Sequence, residues 1–182
     1  PAETLSPGNP VRLLGMLITM VKVQDETRFS LTQPDHAQRI VTNDCPDPRY
    51  AIAASKTGAR TPLPTGKDLD LRPFLDDLDE PCPSKLHRWY RSTSMMIMFV
   101  AGCTRPDLCF AASVLGRFCA RPALRHCVML RHTMRYIQGA SDIGIRWSFG
   151  KVDPAMRVRK FGLHADSDWA SIPADRRSVS GG

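Results

Sequence analysis

The sequence predicts an α+β fold: an N-terminal hairpin and short helix, a proline-rich linker, a three-helix segment, then two or three strands of an incomplete sheet. Three observations predict it. Strand-like runs flank a turn signal at Asp25-Glu26-Thr27. Three apolar stripes at helical spacing lie between Ser84 and Gly139. Between these regions, seven of the fifteen prolines fall within Asp44–Pro83.

Each element has its own warrant. Leu13–Val23 is apolar and partly β-branched, and Arg28–Leu31 resumes with alternation after the turn, which together read as a hairpin. Pro34 suits the first turn of a helix, and Ala37, Ile40 and Val41 fall at i, i+3 and i+4, so a short helix Pro34–Thr42 follows. Each proline of Asp44–Pro83 removes a backbone donor and fixes φ, so the segment is not regular structure and reads as a linker. Ser84 offers an N-cap, and Leu86, Trp89, Tyr90, Thr93, Ile97 and Val100 give a helix Ser84–Ala101. Thr104 or Arg105 caps the next helix, with Pro106 and Asp107 in its first turn and Leu108, Ala111, Ala112, Leu115, Phe118 and Cys119 as its stripe. Pro122 interrupts. Cys127, Leu130, Met134 and Ile137 form the third stripe, ended by Gly139. Ile143–Phe149 alternates and reads as a strand, Arg159–Ala165 as another, and Asp175–Ser178 as a turn into a strand. An unfinished sheet leaves unpaired edges, so residues 143–182 are expected to be marginally stable alone.

Composition narrows the class. A chain with 42% hydrophobic and 24% charged residues is not disordered as a whole. The longest apolar run, Met95–Ala101, has seven residues, too few for a membrane span. The N-terminal segment shows no signal-peptide pattern and no Met start. An intracellular protein with reduced thiols is expected, cytoplasmic or nuclear being left open. The six cysteines, Cys45, Cys82, Cys103, Cys109, Cys119 and Cys127, form no C-x-x-C pair. Cys119, His126, Cys127 and His132 could be drawn as a zinc cluster, but helical periodicity explains Cys127 better as a core residue.

The net charge of +7 is unevenly spread. Residues 1–83 hold 9 Lys/Arg and 12 Asp/Glu, residues 84–160 hold 14 and 3, and residues 161–182 hold 2 and 3. The basic middle block suggests a polyanion, most often nucleic acid, although a solvated basic surface would read the same way. On the third helix, Arg121, Arg125, His132 and Arg135 point away from the apolar stripe, a face that can follow a phosphate backbone. Arg117 and Arg131 extend the set of candidate nucleic-acid ligands. Lysine is nearly absent from residues 86–150, and guanidinium is the better bidentate phosphate ligand.

Asp166 and Asp168 follow a strand directly. Carboxylates at a strand end can hold Mg²⁺ beside a phosphodiester, but such chemistry needs three or four of them. On spacing alone, a strand-terminating turn is the better reading.

The order of motifs resembles the Pol polyprotein of copia-type LTR retrotransposons, from just after the polymerase palm into the start of the RNase H domain. Leu14-Gly15-Met16-Leu17-Ile18 resembles the family's F-L-G-[IM]-x-[IL]. Leu31-Thr32-Gln33-Pro34 with Ile40 resembles L-S-Q-x-x-Y-[IA], and Thr61-Pro62-Leu63-Pro64 resembles T-P-[LM]-P. Tyr90-Arg91-Ser92 opens the next block, and Thr104-Arg105-Pro106-Asp107 matches T-R-P-D. Arg117-Phe118, Arg135-Tyr136-Ile137-Gln138-Gly139, Asp166-Ser167-Asp168-Trp169-Ala170 and Asp175-Arg176-Arg177-Ser178-Val179-Ser180-Gly181 complete the series. The match spans residues 11–182 in the family's order.

The resemblance implies four parts: the end of a palm-like hairpin and helix (1–43), a proline-rich linker (44–83), a basic thumb- or connection-like helical segment (84–140), and an incomplete RNase H-like domain (141–182). It implies that Asp166 is a metal-binding and catalytic carboxylate, for Mg²⁺, only within an intact RNase H domain, and that the chain alone carries no cofactor. It implies an RNA–DNA hybrid or duplex and the rest of the Pol polyprotein as partners, and no membrane. The palm's Val-Asp-Asp motif is absent. Met95-Met96 stand where the family has a small Gly-Ser pair, and Gly182 replaces its usual Tyr. Three functions fit these residues: a non-catalytic fragment with residual template–primer binding, an excerpt of an active reverse transcriptase/RNase H, or a domesticated nucleic-acid-binding protein.

Overall fold

A computed structural model of the chain describes residues 5–52, 58–66, 69–72, 74–75, 78–149, 166–167 and 180–181. The N-terminal apolar run is not one strand. It breaks at Leu14-Gly15, where φ is +51° and +77°, giving β1 (Val11–Leu13) and β2 (Met16–Val23) joined by a two-residue turn. Hairpin turns of this length take positive φ because their twist then matches that of the strands. A Cβ on Gly15 would also come within 2.4 Å of the His36 ring. The next turn is Gln24-Asp25, and Glu26 and Thr27 already belong to β3 (Glu26–Thr32).

The helices follow their stripes closely. α1 (Pro34–Val41) buries Ala37 and Ile40. α2 (Ser84–Cys103) buries Leu86, Trp89, Tyr90, Ile97 and Val100, and outlasts its expected end by two residues. Ser84 is not its cap: Pro83 holds that position, and no side chain caps the helix. Arg105 does precede a 3-10 turn, Pro106–Leu108, with Pro106 and Asp107 in it, which leads into α3 (Cys109–Arg117). α4 (Leu124–Gly139) buries Cys127, Met129, Leu130, Met134 and Ile137. Gly139 is not a left-handed cap: it sits inside the last turn, where its Cα lies against that of Gly58, so that a Cβ on Gly139 would come within 2.7 Å of it. The α1–α4 side chains form one core, and each large apolar group buried there contributes roughly 1.5–3 kcal/mol.

The proline-rich segment contains no α-helix and no strand of a sheet among its described residues, yet it is laid along the core. Tyr50 and Leu63 are buried with the helices. Its carbonyls accept from α4: Thr133 Oγ1 donates to Pro62 O at 2.8 Å, and His132 Nε2 to Thr61 O at 3.0 Å. The prolines leave carbonyls with no ladder to join, and α4 supplies the donors. The segment is a strap.

β4 (Ile145–Phe149) corrects one expectation. It does not open a separate sheet. It pairs antiparallel with β3, Phe29 opposite Trp147, and gives a four-stranded sheet in the order β1-β2-β3-β4. The register places Ile18, Met20, Phe29, Leu31, Ile145, Trp147 and Phe149 on one face. A free apolar strand gains more by joining an existing edge than by standing alone. β5 (Asp166–Ser167) and β6 (Ser180–Gly181) pair antiparallel as a separate two-stranded piece. The expected strand Arg159–Ala165 and the turn Asp175–Ser178 lie outside the described residues.

Candidate nucleic-acid interface

The arginines of α4 have been assigned a surface role, and the strap changes it. Arg125 is four-fifths covered. Its Nε meets Asp70 Oδ2 at 3.0 Å, its Nη1 pairs with Asp79, and its Nη2 donates to Arg72 O at 2.9 Å. Arg131 donates to Arg49 O at 3.2 Å. Arg121 does not belong to α4. It precedes the helix, with its guanidinium 4.0 Å above the Phe74 ring. Val128, Arg131, His132 and Arg135 line a shallow depression of about 130 Å³ on α4. Arg117 ends α3 and is exposed. The five candidate arginines therefore do not form one row: Arg125 and Arg131 hold the strap.

His126 shows the same use of a basic residue. It sits at the third position of α4, where Nδ1 accepts the Ala123 N–H at 2.9 Å. With Nδ1 accepting, the proton is on Nε2, which donates to Arg72 O at 3.0 Å. The ring stacks on Phe118 at 3.9 Å. Burial pulls the imidazole pKa down to about 4. Asp70 lies nearby with its pKa lowered to about 2, chiefly by the hydrogen bond from Arg72.

A second set of cations is exposed, and the sequence reading did not single it out, although its helical spacing was there to be read. Lys85, Arg88 and Arg91 lie at i, i+3 and i+6 on α2, opposite its buried stripe. His87 Nε2 donates to Cys119 O at 2.9 Å and Tyr90 OH to Leu115 O at 2.9 Å, which sets this half of α2 against the end of α3. Burial pushes the Cys119 thiol up, and the Arg91 guanidinium pulls against it. Arg91 is thus near the end of α3, where Arg117 is also exposed, and Lys85 and Arg88 continue the same exposed side of α2. Such a group can neutralise successive phosphates, the guanidinium forks doing so bidentately.

The motifs that carried the resemblance meet in space. Arg105, fully buried, donates from Nε and Nη2 to Asp107 at 2.9 and 2.8 Å and from Nη1 to Ala140 O at 2.7 Å. Tyr136 OH donates to Asp107 Oδ2 at 2.9 Å, and Thr104 Oγ1 to Gln33 Oε1 at 2.9 Å. Burial raises the Asp107 carboxyl, and the hydrogen bonds from Arg105 and Tyr136 outweigh it, leaving the pKa low. Of the Met95-Met96 pair, Met95 is exposed and Met96, partly buried, packs against the core.

A magnesium site of the kind implied for Asp166 needs converging carboxylates. Among the described residues no three His, Cys, Asp or Glu side chains converge on a point, and the Asp166 side chain is not among those described. The described residues offer no such site, and no metal chemistry follows from them. Among them, no helix is long and apolar enough to cross a membrane.

No family model and no solved structure matches the chain. Curated proteins do. It is 35% identical over 92 residues to the secreted RxLR effector protein 161 of Plasmopara viticola, across 50% of this chain and 61% of that protein. It is 30% identical over 92 residues to the retrovirus-related Pol polyprotein from transposon TNT 1-94 of Nicotiana tabacum, across 50% of this chain and 6% of the polyprotein. An uncharacterized mitochondrial protein of Arabidopsis thaliana is 26% identical over 175 residues, 92% of this chain and 62% of that protein. The chain thus spans under two thirds of the length of each of these relatives. It is related to the Pol polyproteins of retrotransposons and, within them, to the copia type.

Proposed function

We propose that this chain is a nucleic-acid-binding part of a retrotransposon reverse transcriptase/RNase H polypeptide, without catalysis of its own. Lys85, Arg88 and Arg91 on α2, with Arg117 at the end of α3, carry the reading: exposed cations at helical spacing in a relative of Pol. They bind the backbone of a template–primer hybrid or duplex by charge, so binding is salt-sensitive and largely independent of sequence. Arg121 and Arg135 border this role, while Arg125 and Arg131 act as strap holders. The palm's Val-Asp-Asp motif is missing from the sequence, which supports the absence of polymerisation.

Fluorescence anisotropy of a labelled RNA–DNA hybrid, titrated at several salt concentrations, tests the reading. Replacing Lys85, Arg88 and Arg91 together by Ala should lower the slope of log K against log salt by about 2–3. An unchanged slope would refute the assignment. Incubation of the hybrid with Mg²⁺ should leave its RNA strand intact.

A further inference from the structure

Cys82 and Cys127 stand 45 positions apart, yet their sulfurs lie 3.6 Å from each other. The strap causes this. Pro81 and Pro83 stiffen the backbone on both sides of Cys82, and Pro81 forms a backbone bridge to Ala123, at the start of α4. Side chains on a helix lean toward its N-terminus, so Cys127 is carried back toward that bridge. Cys127 is fully buried, whereas Cys82 is half-buried. The pairing is thus asymmetric, one sulfur within reach of solvent and its neighbour behind it. We infer that Cys82 and Cys127 are a dithiol site that undergoes exchange with a small-molecule disulfide and closes to a strap–α4 cross-link.

The two thiols are polarised in opposite directions. The hydrogen bond from Cys127 lowers the Cys82 thiol, and the same bond together with burial pushes Cys127 up. Cys82 is therefore the attacking sulfur, since the thiolate is the nucleophile. Its thiolate attacks one sulfur of the small disulfide. That S–S bond breaks, a mixed disulfide forms at Cys82, and one small thiolate leaves and takes a proton from water. Cys127 then loses its proton to water. Its sulfur attacks the Cys82 sulfur, and the second small thiolate leaves and is protonated in turn. The protein gives up two electrons and two protons, and the small disulfide is reduced to two thiols. Closing the long loop between the two positions restricts the unfolded chain, so the oxidised form should melt higher, by on the order of 10 °C.

The test uses the full chain and glutathione disulfide. After equilibration, maleimide mass tagging counts the remaining thiols, and peptide mapping locates the cross-link. Two of the six thiols should disappear, the cross-link should join Cys82 to Cys127, and dithiothreitol should reverse both this and the rise in Tm. Cys45 lies near enough to act on Cys127, so Cys45→Ala should still cross-link while Cys82→Ser should not. Six tagged thiols at an oxidising ratio, a reaction that stops at a mixed disulfide, or a cross-link through another cysteine would each overturn the inference. Mapping the unaltered chain decides the matter even if a variant fails to fold.

Discussion

Lowering the pH from 7 to 5 should destabilise this chain through His126. The imidazole is neutral in the folded state because Nδ1 accepts the Ala123 N–H, and a proton there would set donor against donor. Its folded pKa of about 4 reflects burial first, then Arg125 beside it, opposed by the Arg72 carbonyl and by Asp70 and Asp79. In the unfolded chain a histidine titrates near about 6.5. The unfolded chain therefore takes up the proton first, so the contribution is complete above about pH 6.5 and is lost progressively down to about pH 4. Between pH 7 and pH 5 the loss amounts to about 2 kcal/mol. Asp70 works in a lower window: its depressed pKa stabilises the fold above about pH 4 and is lost as pH falls to about 2. Urea unfolding followed by tryptophan fluorescence at pH 7 and pH 5 measures the difference, with an expected midpoint shift on the order of 1 M. His126→Gln keeps an acceptor for Ala123 but does not titrate, so its midpoint should hardly move. If His126→Gln loses as much stability over that interval as the parent chain, the reasoning fails.

Arg105→Lys keeps the charge and loses the fork that spans Asp107 and Ala140 O, so it should cost about 2–4 kcal/mol in chemical unfolding. Arg125→Met should lower stability by about 2–3 kcal/mol by leaving Asp79 without its cation, while hybrid affinity at matched salt should change less than on replacing Lys85, Arg88 and Arg91. Gly139→Ala should push the strap off the end of α4, detectable as faster amide exchange at Ala59, whose N–H donates to Arg135 O at 3.3 Å.

The helices were legible because burial writes a 3.6-residue period into the sequence: Leu86, Trp89, Tyr90, Ile97 and Val100 on α2, Cys127, Leu130, Met134 and Ile137 on α4. The strap was not, because its order comes from side chains some 70 positions away donating to its carbonyls, and such bonds leave no period. β4 was legible as a strand but not in its partner, since alternation specifies a face and not a neighbour. Among the site residues, the arginines of α4 were found by periodicity and their role was not. Polar spacing on a helix says only that a residue leaves the helical stripe. Whether it then meets water, a phosphate or a strap is decided by a segment the spacing never sees.

That distinction bears on what the motifs preserve. Thr104-Arg105-Pro106-Asp107 reaches Gln33 at the start of α1 and Ala140 past the end of α4, and Tyr136 closes the same cluster through Asp107. Thr61-Pro62-Leu63-Pro64 supplies two carbonyls to α4 and one buried leucine to the core. Four motifs far apart in the chain thus supply tertiary joints, and Thr104 and Arg105 among them are fully buried. Their chemistry is architectural: a buried guanidinium satisfied on three sides, and a proline-rich strap whose Thr61 and Pro62 carbonyls accept from α4. Any grip on nucleic acid then falls to residues outside these joints, and the exposed flank of α2 is where the charge is left over.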